Sequence, residues 1–215
     1  GDSFLCIATP GNARAFLRQL ELEGLNPKLI TEERRLLVID ASETLGLFMR
    51  AGQPDRQLFR ATGGALRGQL AGSTWRAYGE MVGILWERHQ PEAAEQLEEL
   101  WNEFLSSTGG GLLCGYSIDV TGEDFGGPET ERIIAAHNGV VSAGDAAQLV
   151  DVLGMAVQDV LGKPLPEENR RDLPVAVNRI PLPGGEREIL NLGKIFTGDA
   201  DAVLATARRY LQGER

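Results

Sequence analysis

Glu80 is the carboxylate best placed to do chemistry. It follows Thr74–Tyr78, a short β-favouring run that ends at Gly79, so it falls at a strand's carboxyl edge. There it can act as a base, contact a ligand or partner, or pair with Arg76 or a neighbouring backbone amide; structural pairing is the commonest fate of such a group. Asp40 is the second candidate. It closes the apolar run Leu36–Ile39, the local look of a strand whose acid orders Mg²⁺ beside a nucleotide. The same Asp can simply cap the helix that begins Ala41-Ser42-Glu43-Thr44, and that reading is favoured. No GxxxxGK[ST] loop accompanies it in this chain. The turn Thr9-Pro10-Gly11-Asn12 can cradle an anion on its backbone N–H groups, but it has no lysine to reach a phosphate.

All three tryptophans, Trp75, Trp86 and Trp101, lie within one stretch. With Tyr78, Met81 and Tyr116 they can line an apolar pocket for a small organic molecule, or each can be core. Core is the commoner outcome, above all for Trp101. Asn102 is unusual inside a helix and can reach the rim, Glu80 or Asp40. There is no GxSxG, no HExxH and no CxxC. His89 and His137 have no metal-ligand spacing, and His137 suits a helix C-terminus. Cys6 and Cys114 each sit in an apolar run and read as reduced, buried thiols. Chemistry alone therefore nominates ligand contacts and no catalytic residue, metal or cofactor.

The elements that must position these residues follow from hydrophobic spacing. Phe4–Ala8 and Leu36–Ile39 read as buried strands, and Ala13–Glu23 as a helix between them. Thr9 or Asn12 can cap that helix. Asp55 starts a helix over Arg56–Leu66, which Gly63-Gly64 threatens to interrupt. Ser73–Tyr116 reads as strand, loop, helix, Gly-rich turn, strand. In its helix, which has Pro91 in the first turn, Ala94, Leu97, Leu100, Trp101, Phe104 and Leu105 share one face. Glu92, Glu95, Glu98, Glu99 and Glu103 fall largely off it. Leu112–Tyr116 reads as a buried strand. Strands joined by a helix within one sheet are parallel, and ligands lie beyond their carboxyl ends. That rule puts Gly79, Glu80, Met81, Tyr116 and Ser117 on a functional rim.

Beyond Tyr116 the pattern loosens. Thr121–Pro128 reads as a loop, Glu129–Ala136 as a short helix, and Asp145–Leu161 as an amphipathic helix. Leu165–Asp172 resembles a linker. Val175–Ile180 and Ile189–Phe196 read as an antiparallel pair about the loop Pro181–Gly185, and Ala200–Leu211 as a final helix.

The chain has 215 residues and a net charge of −10, with 42% hydrophobic and 24% charged residues. That is an ordinary globular composition with material for a sizeable core. The negative charge argues against nucleic acid or an anionic membrane as a partner. No apolar run reaches 18 residues and no secretory leader opens the chain, so the cytoplasm is the expected compartment.

WRAYGEMVGILW, LEELWNEF and LLCGY, in this order and spacing, resemble the MEDS domain, a sensory domain of methanogens and methylotrophs. IATP, DASETL, GQPDRQLF and AAHNGVVSAGD extend the likeness, which is strong over residues 1–142 and weak beyond. The resemblance implies a RecA/KaiC-like α/β fold without a phosphate-binding loop: a mostly parallel sheet with helices on both faces. Residues 143–215 are then a C-terminal α+β extension packing on the same domain. It also implies an earlier βα unit ahead of Gly1, with a cleaved tag or a divergent start as the alternative. Functionally it implies a non-catalytic sensory or regulatory module. Its partner would be a small organic ligand or a signalling protein, with Asp40, Arg76, Tyr78, Glu80, Met81, Trp86, Asn102 and Tyr116 as contact residues. A nucleotide-binding RecA-like ATPase using Asp40 and Glu80 is the alternative, and a structural homo-oligomer, such as the rings of KaiC-like folds, is a third reading.

Overall fold

Short apolar runs that are too brief for helices become the strands of one sheet. In a computed structural model, residues 2–119, 128–141, 146–164, 189, 192 and 198–213 are described. They form two compact units, Gly1–Ser117 and Ile118–Arg215. The first unit runs β1 (Ser3–Ala8), α1 (Pro10–Leu22), α2 (Pro27–Glu32), β2 (Leu36–Asp40) and α3 (Ala41–Phe48). A two-residue pair, β3 (Met49–Arg50) and β4 (Gln53–Pro54), precedes α4 (Arg56–Gln69) and β5 (Trp75–Gly79). Then come α5 (Met81–Glu87), α6 (Pro91–Thr108) and β6 (Gly111–Cys114).

The main sheet has the order β2-β1-β5-β6, and every pairing in it is parallel. Alternation along β1 splits its side chains between two layers. Leu5 and Ile7 join the core built with α3, α4, α5 and α6, while Phe4 stacks on Phe16 of α1 at 5.5 Å. Helices therefore cover both faces, as expected of an α/β sheet. The connection from β1 leads outward to β2, and the one from β5 leads the other way to β6. The crevice between the carboxyl ends of β1 and β5 is thus the sheet's switch point.

Local chemistry sets the helix ends. Asp40 Oδ1 accepts from the Glu43 amide at 2.8 Å and caps α3. Asp55 does the same for α4 through the Leu58 amide at 2.9 Å. Gly109, at φ 67°, ends α6 in the left-handed conformation that glycine favours. The helix α4 runs unbroken through Gly63-Gly64. Gly63 lies against Phe104, where an added Cβ would come within 3.2 Å of the ring, so packing outweighs glycine's low helix propensity. Two other expectations change. Met81–Trp86 is not loop but the helix α5, because its apolar side chains are drawn into the core. And among the described residues β6 is an edge strand, half-buried, with Leu113 57% exposed.

The core centres on Phe59, which meets Phe48, Trp101 and Phe104 edge-to-face with centroids 5.3, 5.1 and 6.1 Å away. Trp75 and Trp101 are both buried in this cluster, so they are core and not pocket lining.

The second unit contains α7 (Pro128–Ala135), α8 (Ala146–Leu161) and α9 (Ala200–Leu211). Its core gathers Leu149, Val152, Leu153, Ala156 and Val157 from α8 with Val203 and Ala207 from α9. Ile189 and Leu192 join it in helical conformation, which corrects the expected strand at those two positions. Their spacing of three suits one helix face. The stretch Val175–Ile180, the loop Pro181–Gly185 and the linker Leu165–Asp172 lie outside the described residues, as does nearly all of Thr121–Pro128. Among the described residues no helix is long and apolar enough to cross a membrane.

Phe59→Ala should remove about 3–5 kcal/mol of stability, read as a lower urea midpoint for the first unit.

Candidate functional site

The site is built at the switch point between β1 and β5. Glu80 extends the strand pairing by one step, since its amide donates to Ile7 O at 3.0 Å. Its side chain then turns inward and is only 6% exposed. A buried carboxylate is costly unless hydrogen-bonded, and this one is. Oε2 accepts from the Thr9 amide at 2.7 Å. Oε1 accepts from Asn12 Nδ2 at 2.7 Å and from the Tyr78 hydroxyl at 2.8 Å. Thr9 is the N-cap position of α1 and Asn12 lies in its first turn. The protein's own carboxylate therefore sits at the N-cap amide of this helix, where its dipole favours negative charge. Asn12 does not cap α1, and neither does the Thr9 side chain; the Asn12 amide is committed to Glu80.

The electrostatics follow from these contacts. Burial pushes the Glu80 carboxyl up, but the Thr9 amide, the Asn12 amide and the Tyr78 hydroxyl outweigh it. The group ends below the ordinary carboxylate value. Burial, then the bond to Glu80, raises the Tyr78 phenol. Burial, with the Glu80 charge adding, raises the Cys6 thiol to about 11. Neither neighbour is poised as a nucleophile or acid near neutral pH.

A second buried carboxylate stands on α6. Glu98 is 2% exposed, although its charge suggested an outward position. It accepts from the Tyr116 hydroxyl at 2.6 Å and from Cys114 Sγ at 3.4 Å. Burial first, and the Glu98 charge second, raise both the Cys114 thiol and the Tyr116 phenol. Spacing could have found Glu98, since it falls four residues after Ala94 and three before Trp101, on the apolar face. Two glycines let these parts close up. An added Cβ on Gly83 would lie 2.4 Å from Gly115 O, and one on Gly115 would lie 2.6 Å from the Tyr78 hydroxyl.

The residues singled out in the sequence are distributed as follows. Tyr78 and Glu80 are brought into one hydrogen-bonded group. Trp86, half-exposed on α5, meets Tyr116 edge-to-face at 6.5 Å. Met81 is buried in the core, Arg76 is exposed on β5, and Asn102 is exposed on α6. Asp40, partly buried, caps α3. In the second unit, His137 Nδ1 donates to Ile133 O at 2.7 Å, a hydrogen-bonding role at the end of α7.

This rim, YGEM at the end of β5 beside IATPGN at the end of β1, lies within the residues matched by a known family. The MEDS family, the methanogen/methylotroph DcmR sensory domain, matches residues 1–138. The chain belongs to that family. MEDS membership gives it a sensory or regulatory role in general. No curated protein and no solved structure is significantly similar to the chain.

Glu80→Gln should cost about 2–3 kcal/mol at neutral pH, because an amide must turn an N–H group toward one of three donors. A carboxyl held below its ordinary value stabilises the fold above that value and loses the effect as pH falls through its folded value. The gap between wild type and variant should therefore narrow on acidification below about pH 4.5, in urea titrations at matched pH.

Proposed function

We infer that this chain is a non-catalytic signalling module. It reads a small organic ligand, or a protein partner, at the carboxyl rim of its sheet. The observation that carries this reading is the state of Glu80. Its carboxylate is already held by three internal donors, so it is not a free base. It also occupies the Thr9 amide at the N-terminus of α1, where a nucleotide phosphate would meet a buried negative charge. Asp40 is occupied as a helix cap, which supports the same conclusion.

The neighbouring part of the rim suits an organic ligand better. Trp86 and Tyr116 form a partly buried aromatic pair, with Tyr116 oriented by the buried Glu98. An apolar or aromatic molecule can cover that pair, and a displacement of the Tyr116 ring would strain its bond to Glu98. Binding there would be transmitted through α5 and α6 to a kinase or transcriptional output. No cofactor or metal is needed for that role.

A thermal-shift screen against small organic compounds and Mg²⁺-nucleotides tests the reading. At about 100 times its dissociation constant a ligand adds roughly 2.7 kcal/mol. An organic compound should raise the melting temperature and shift tryptophan emission, and Trp86→Phe should abolish the emission change. A nucleotide that stabilises the protein while organic compounds do not would contradict it.

A further inference from the structure

The sheet has a second feature that the rim does not use, the free edge at β2. Among the described residues β2 pairs only with β1. Exposed edges are normally blunted by charge, proline or a bulge. The segment Leu36–Ile39 has none of these, and Leu37, Val38 and Ile39 are only half-buried. The elements that pack on β2 add to it. Leu22 and Leu29 on α1 and α2, Leu25 between them, and Leu47 on α3 are exposed, at 70% for Leu22 and 58% for Leu47. Four of the five large exposed apolar residues of the first unit thus lie on or between elements that contact β2.

The flanking charges say what fits there. Glu32, Glu33, Arg34 and Arg35 precede β2, Asp40 ends it, and Glu43 follows it. Arg34 is committed to the Gly68 and Gln69 carbonyls at the end of α4. Arg35 is about half-exposed, with a 3.4 Å contact to Glu33. A second β2 laid parallel would set Arg35 beside Arg35 and Asp40 beside Asp40. Laid antiparallel about Val38, it sets Leu36 opposite Asp40 of the second copy and Arg35 beside the first turn of that copy's α3. Opposite charges then meet at both ends, with an uncharged apolar centre between them. The strand is self-complementary in one orientation.

We propose that the β2 edge pairs antiparallel with the β2 edge of a second copy of this chain, about a two-fold axis through Val38. The two four-stranded sheets become one of eight strands, the isologous contact of a symmetric dimer. The opposite edge, β6, is a poorer candidate because glycines and not charges flank it.

Sedimentation velocity on the full chain, from ~1 to ~100 µM, tests this. A monomer–dimer equilibrium is expected, with amides of residues 36–40 exchanging more slowly as concentration rises. Arg35→Glu, an exposed change, should weaken the dimer at least about tenfold without altering far-ultraviolet dichroism. The swap Arg35→Glu with Glu43→Arg should recover most of that loss. A chain that stays monomeric overturns the proposal. So does a dimer indifferent to Arg35→Glu, one the swap fails to recover, or one that only Leu113→Lys on β6 dissociates.

Discussion

A carboxylate buried between two parallel strands has to find donors, and the first unit is arranged so that Glu80 finds three. The Thr9 amide, the Asn12 side chain and the Tyr78 hydroxyl converge on its two oxygens. Each belongs to a different piece of the rim: the end of β1, the first turn of α1, and β5 itself. The contact therefore fixes where α1 leaves the sheet. It also ties the two strands whose connections diverge, which is where an open α/β sheet would otherwise gape. Hydrogen bonds to a charged group are worth about 1.5–3 kcal/mol each, while the same charge left without them would be strongly destabilising. The interaction is thus a constraint that other parts must respect. Gly115 is one such part, since any side chain there would displace the Tyr78 hydroxyl.

Glu98 repeats the device on the far side of β5. It orients Tyr116 and Cys114 from behind, as Glu80 orients Tyr78. The two clusters divide the rim into a closed half and a half with accessible aromatic surface. The closed half has its polar groups satisfied internally, which disfavours both acid–base catalysis and phosphate recognition. The aromatic half keeps Trp86 partly open to solvent. A sensory role is consistent with that division, because the ligand proposed to contact Trp86 and Tyr116 would work against a fixed frame.

Much of this frame was legible in the residues. The runs FLCIA, LLVI and WRAYG are apolar or β-favouring and too short for helices, and all became strands. Asp40 and Asp55 precede helical periodicity, and both are caps. Glu80 was visible as a rim carboxylate because a glycine ends the strand before it. Two of its three partners were not visible, since Thr9 and Asn12 lie about seventy residues earlier and only the β1–β5 pairing brings them near. Glu98 was misjudged because charge was weighed above spacing. The helix α5 is not legible as a helix, because Gly83 interrupts an apolar run too short to show a period. That glycine is there for the close approach of the Gly115 carbonyl. The edge character of β6 depends on strand order, which no local pattern encodes.

The most direct test of the central interaction is the Thr9 amide itself. Its proton should be observed by NMR while pH is lowered, on the full chain. Donation to Glu80 Oε2 predicts a downfield amide that resists exchange and titrates with a midpoint below the ordinary carboxylate value of 4.5. A Thr9 amide that exchanges as freely as solvent-exposed ones, or that titrates at or above that value, would contradict the account.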